Sequence, residues 1–227
     1  MAYRQLKRRI GDLLGQDDFA AALETIGQLP GRQAINPLFG FFYSGDETIR
    51  WRAITAMGTV VCQLAETAME SARVVMRRLM WNLNDESGGI GWGSPEAMGE
   101  ITAGHAGLAG EYGRILISYI DPAGNFLEQE QLQRGSLWGV GRLAHARPVL
   151  VQPAADHLCA FFDAADPTLR GTAIWATTPI LNPDICTRIA AHRSDDAPLR
   201  LYRQMRITET TVAELARAAL AGCGQHD

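Results

Sequence analysis

The side chains best suited to move a proton or hold a metal are five histidines, His105, His145, His157, His192 and His226. None stands in the His-x-x-x-His or His-Glu spacing that puts two ligands on one helix face. His105 follows Met98 and Ile101 at helical spacing and reads as a half-buried structural residue. Neither a Gly-x-Ser-x-Gly elbow nor a phosphate loop ending in Gly-Lys-Ser/Thr occurs. The cysteines, Cys62, Cys159, Cys186 and Cys223, form no Cys-x-x-Cys pair of the kind zinc requires. The first three lie in apolar helical stretches and are expected as buried, reduced thiols. Cys223, in a Gly-Cys-Gly tail, is expected to be exposed and more oxidisable. No catalytic residue, cofactor or metal site is predicted.

One stretch concentrates unusual residues. From Trp81 the chain reads Trp-Asn82-Leu-Asn84-Asp85-Glu86-Ser87-Gly88-Gly89-Ile-Gly91-Trp92-Gly93-Ser94-Pro95-Glu96. Glycine loses much backbone entropy on ordering and packs nothing, so such a run points to special backbone angles or a close approach by another chain. Ser94-Pro95-Glu96 is a strong helix start, with a hydroxyl cap, proline first and an acid in the opening turn. The loop could bind an anion at that helix start, but Asp85, Glu86 and Glu96 surround the spot with negative charge. These acids and Glu100 could hold a hard divalent cation, although their spacing matches no known loop. Trp81, Trp92 and the loop backbone could form a protein or peptide surface, since aromatic side chains dominate binding hot spots. Alternatively Trp92 folds inward while Asp85 and Glu86 bond the loop's own amides. The candidate partner-binding set is Trp81, Asn82, Asn84 to Gly89, Gly91, Trp92 and Glu96.

The elements that position this stretch come from a repeating unit. In the segment 34–58, an apolar helix with Asn36 as cap and Pro37 as first helical residue leads through Ser-Gly to a second helix near Asp46. Asp46 and Arg50 are four apart and share a helix face. The same spacing recurs in Glu130 and Arg134, Asp166 and Arg170, and Asp196 and Arg200. These four pairs are expected to open second helices of hairpins and to be structural. Small residues follow several of the arginines, among them Ala53, Gly58, Gly135, Gly141, Gly171 and Ala173, and would let stacked helices approach closely. Arg134 to Arg170 spans 36 residues and Arg50 to Arg134 spans 84, two units of 42, which are periods of two-helix repeats. Ala97-Met98-Gly99 matches Ala56-Met57-Gly58 with a shift of 41, so a repeat lies between; only its turn has been replaced.

Pro-Leu, then Ser-Gly-Asp46, Ile-Arg50-x-x-Ala53 and Ala-Met-Gly58 resemble the HEAT-like repeat associated with phycobilisome lyases. The resemblance implies an α-superhelix in which the Asp and Arg fix loops between adjacent repeats. It implies no lyase activity, because such repeats serve many unrelated proteins as scaffolds. The expected fold is therefore all-α, a right-handed α-solenoid of about five HEAT-like hairpins in one domain. Residues 1–31 form an N-terminal capping hairpin, 32–205 the repeats and 206–222 a C-terminal capping helix that starts at Thr208. Residues 2–14 place Tyr3, Leu6, Ile10, Leu13 and Leu14 on one apolar stripe with Arg4, Lys7, Arg8 and Arg9 largely off it.

Composition narrows the function. Apolar residues make up 47% and charged ones 20%, and the formal net charge is −4. A nucleic-acid binder usually carries a basic surplus to neutralise phosphates, so nucleic acid is disfavoured as a partner. The apolar runs are too short to span a membrane, and the basic N-terminus lacks a signal peptide's apolar stretch, so the expected location is cytoplasmic. The leading reading is a scaffold with no catalytic role that binds a protein or peptide through the glycine- and tryptophan-rich loop and the repeat surface. A possible groove carries Trp138, Arg142 and Trp175. The alternatives are a glycosylase or nucleic-acid binder built on DNA-alkylation repeats, using those aromatics with Arg134, Arg142, Arg147 and Arg170, and an accessory subunit for a cofactor protein, which only the resemblance suggests.

Overall fold

The computed structural model describes residues 3–84 and 91–223. It is mostly helical, with α1 (Tyr3–Leu14), α2 (Phe19–Gly27), α3 (Gly31–Phe41), α4 (Glu47–Leu83), α5 (Ser94–Gly104), α6 (Ala106–Ser118), α7 (Glu130–Ala146), α8 (Pro148–Val151), α9 (Ala155–Cys159), α10 (Pro167–Thr177), α11 (Pro183–Ala190) and α12 (Val212–Leu220). A two-stranded hairpin, β1 (Pro198–Arg203) and β2 (Arg206–Thr211), precedes α12. By its contacts the chain divides into two units, Met1–Tyr112 with Gln204–Arg206, and Gly113–Arg203 with Ile207–Asp227.

In the first unit, Leu6, Ile10, Leu13 and Leu14 of α1 are buried, so the stripe is a core face; Tyr3 is exposed. Asp18 caps α2 through the Ala21 N–H. Helix α3 starts earlier than expected, at Gly31, with Pro37 inside it rather than at its first position. Asn36 therefore caps nothing, and its Oδ1 accepts from Arg78 Nη1 at 2.5 Å. Helix α4 joins the second helix of one hairpin to the first helix of the next, with a non-helical break at Ala68 (φ −153°, ψ 65°). It packs on α3 and, most extensively, on α5. That crossing is close, since a Cβ on Gly58 would come within 2.6 Å of Glu100 Cβ. A small residue at this point is what the helix spacing requires.

In the second unit, Gly141 of α7 has the same role against α10, where a Cβ would meet Trp175 Cζ3 at 2.6 Å and Ala176 Cβ at 2.9 Å. Helix α10 also packs on β1 and α12. The β-hairpin corrects two expectations. Arg200 lies on a strand, so Asp196 and Arg200 are not a helical pair, and residues 206–211 are strand rather than the start of the last helix. Helix α12 begins after Thr211, whose hydroxyl accepts from the Glu214 N–H while Glu214 bonds back to Thr211 N–H, a reciprocal cap. A second correction concerns the thiols. Cys186 of α11 and Cys223 after α12 form a disulfide, whereas Cys62 and Cys159 are free.

Candidate functional site

The segment that the sequence singles out is described at its two flanks; Asp85, Glu86, Ser87, Gly88 and Gly89 lie outside the described residues. On the upstream side Trp81 stands on the last turn of α4 and is 73% exposed. Asn82 is half-buried and Asn84, the C-cap of α4, is exposed. Val74, seven residues before Trp81 and so on the same face of the helix, is also exposed. On the downstream side Gly91 is buried and Trp92 half-buried. Gly93 caps α5 with φ +77°, and a Cβ there would lie 2.9 Å from the Phe42 ring. Both the left-handed backbone and the Phe42 contact demand glycine.

Ser94 is wholly buried and its Oγ has no hydrogen-bond partner, so it is not the hydroxyl cap expected from Ser-Pro-Glu. Glu96 corrects a second expectation. Its Oε2 is buried without a hydrogen-bond partner, so its carboxyl is turned into the fold rather than offered to a partner. Burial pushes this carboxyl up to about 7; its own backbone amide and the charge of Arg50 pull less strongly the other way. Among the described residues, no group of three or more His, Cys, Asp and Glu side chains could hold a metal ion.

The recurrent acids and arginines are hydrogen-bonded, but mostly to partners other than those expected. Asp166 caps α10 through the Thr168 and Leu169 N–H groups and does not pair with Arg170. It accepts instead from Arg134 Nε, in the preceding repeat, at 2.7 Å. Arg134 also bonds Glu130, the one i,i+4 pair that forms as expected. Arg170 Nε in turn donates to Asp195 Oδ2 at 2.9 Å, and its Nη1 donates to the Ala164 and Ala165 carbonyls. Each of these two arginines thus reaches forward to an acid further along the second unit, and the sequence pattern named Asp196 where its neighbour Asp195 accepts the bond.

Arg50 departs from this. The Asp46 carboxylate caps α4 through the Thr48 and Ile49 N–H groups, while the Arg50 N–H donates to the Asp46 carbonyl at 3.0 Å. The 41-residue shift puts the next cap position at Ser87, outside the described residues, while α5 begins only at Ser94. Among the described residues, the charge of Arg50 acts on Glu96.

The groove expected at Trp138, Arg142 and Trp175 is mostly filled. Trp138 is 4% exposed and its Nε1 donates to Tyr202 O at 2.8 Å, so it is core. Its ring stacks on Trp175 at 6.1 Å, and Trp175 stacks on His145 at 4.7 Å. Trp175 and Arg142 are half-buried. Desolvation against Trp175 pulls the His145 imidazole below its ordinary value; the bond to the Trp175 carbonyl opposes this, and the charges of Arg142 and Arg203 add to it. Sequence reasoning missed Tyr202 beside Trp138 and the charge of Arg203 on His145, because the β-hairpin that delivers both was read as helix. A glycosylase reading loses its parts here: Arg134 and Arg170 are tied to carboxylates and Trp138 cannot stack on a base.

No protein-family profile matches the chain. An uncharacterized protein of Archaeoglobus fulgidus is 25% identical over 179 residues, 78% of this chain and 91% of that protein. Among solved structures, a designed armadillo repeat protein in complex with the peptide (KR)4 is 18% identical with a TM-score of 0.51, covering 96% of this chain and 98% of that one. Computationally designed armadillo repeat proteins for modular peptide recognition give 17% and 0.51, covering 96% and 99%. An engineered protein gives 14% and 0.54, covering 96% and 97%. At such identities the likeness carries the fold: an all-α helical-repeat solenoid of the armadillo and HEAT kind. The phycobilisome-lyase variety of repeat stays a resemblance.

Proposed function

We propose that this chain is a scaffold with no catalytic role that binds a protein or peptide partner, with Trp81 as an anchor. The observation that carries the reading is the exposure of Trp81, 73% on a helix whose opposite face is core. A large exposed indole beside a second exposed apolar side chain, Val74, marks an interaction patch more often than a solvated surface. The likeness to designed proteins that bind peptides supports the same class of partner. The described histidines also sit in structural roles. His105 Nδ1 accepts from Leu108 N–H, His145 lies against Trp175, and His157 and His192 stand beside Asp121 and Asp195 at 3.8 and 4.0 Å.

A photo-crosslinking side chain at position 84 identifies the partner in the native host, and calorimetry with the purified partner then compares variants. Trp81→Ala should weaken binding about tenfold or more, as loss of a hot-spot aromatic does, with the thermal midpoint moved by only a few degrees. Equal affinity for Trp81→Ala and wild type overturns the assignment. In that case Trp175→Ala tests the surface around His145 and Arg142 next.

A further inference from the structure

Helices α4 and α5 meet across an interface with unanswered polar atoms. Glu96 lies one turn before Glu100 on the same face of α5, and Glu100 is the residue against which Gly58 packs. Glu96 Oε2 is buried without a hydrogen-bond partner, as is Ser94 Oγ at the start of α5. Helix α4 is the element packed most extensively on α5, and the charge it presents to Glu96 is Arg50. Two other titratable groups belong to the same helix. Glu100 Oε1 accepts from Thr55 Oγ1 at 3.2 Å, and His105, at the C-cap, accepts the Leu108 N–H and stands 3.5 Å from the Glu66 carboxylate. The equivalent carboxylates in the second unit, Asp166 and Asp195, are each bonded by an arginine and by backbone amides.

We propose that Glu96 is a proton latch: its protonated carboxyl holds α5 against α4, and its ionised carboxylate loosens that contact. A buried carboxylate with an unpartnered oxygen is costly, whereas the neutral acid removes the charge and gains an O–H donor for its surroundings. Its midpoint, raised by burial to about 7, fits this arrangement. The sign follows from linkage. When α5 opens, the carboxyl returns to its ordinary range near 4.5, so the docked form binds the proton more tightly. The latch is therefore fully set below the solvated midpoint, weakens as pH rises toward the buried one, and stays weak above it. The latch stands whether or not the partner reading holds.

Hydrogen exchange of the full chain, read by mass spectrometry and corrected for the intrinsic pH effect, tests this. Between about pH 8 and about pH 5, the slowing of exchange over residues 94–104 should increase about tenfold or more, while residues 167–177 show no such gain. Glu96→Gln should abolish the gain and leave α5 as protected at the higher pH as wild type is at the lower. A gain of the same size in Glu96→Gln, or none in wild type, overturns the proposal. A carboxyl-carbon NMR titration of the wild-type chain needs no variant. A Glu96 midpoint near neutrality is expected, and one in the ordinary carboxylate range overturns the latch.

Discussion

The starts of α10 and α5 answer an arginine in different ways. At α10 the acid is the cap itself: Asp166 takes two backbone amides and Arg134 Nε, and every charge has a hydrogen bond. At α5 the cap is Gly93, the helix starts late, and Glu96, which feels the charge of Arg50, lies inside the helix with one oxygen unanswered. Both arginines come from the same acid-x-x-x-Arg spacing, Glu130 with Arg134 and Asp46 with Arg50. The position at which the following helix begins therefore decides whether a repeat's charges close into fixed bonds or remain able to titrate.

Removing the arginines one at a time should grade this contrast. Arg170→Ala should have the largest effect, because it strips Asp195 and two carbonyls of their donor in a half-buried setting. A loss of about 3 kcal/mol is expected by denaturant unfolding. Glu96→Gln should work in the other direction and stabilise the chain at mildly alkaline pH by about 1–2 kcal/mol, with the gain shrinking on acidification. If the gain does not depend on pH, the substitution acts through packing rather than charge. Arg134→Ala should cost about 1 kcal/mol, since its side chain is 42% exposed and solvent screens the lost pairs. Arg50→Ala should be the mildest, about 0.5 kcal/mol or less at mildly acidic pH, because it forms no hydrogen bond there to lose. Its signature should instead be an upward shift of the Glu96 midpoint. A cost equal to that of Arg170→Ala would mean that the two helix starts are not different after all.

Much of the helical architecture was legible because its signals are local. The apolar stripe of α1, the small residues at Gly58 and Gly141, and the acids at 46 and 166 act through spacing along one helix. What each arginine bonds was not legible, because Asp166 lies 32 residues from Arg134 and Asp195 lies 25 from Arg170. The β-hairpin escaped for another reason. A two-residue hairpin turn usually announces itself with Asn-Gly, whereas Gln204 and Met205 occupy the left-handed region here, at φ 49° and 60°. The direction of Glu96 was likewise hidden, because a glutamate in the first turn of a helix is ordinarily a solvated partner of the helix dipole.

The bond between Cys186 and Cys223 encloses the β-hairpin in a covalent ring, since β1, its turn and β2 all lie between the two cysteines. Cutting the chain inside that ring does not set its C-terminal part free. Gln204, Met205 and Arg206 are exposed at the turn, and Arg203 and Arg206 offer a trypsin-like protease its preferred bonds. A chain nicked there should migrate as one species on a denaturing gel without reductant and as two with it. In oxidising surroundings a cleavage at the tip is thus a silent scar, and in reducing ones only the packing of α12 on α10 and α11 keeps the C-terminal part in place.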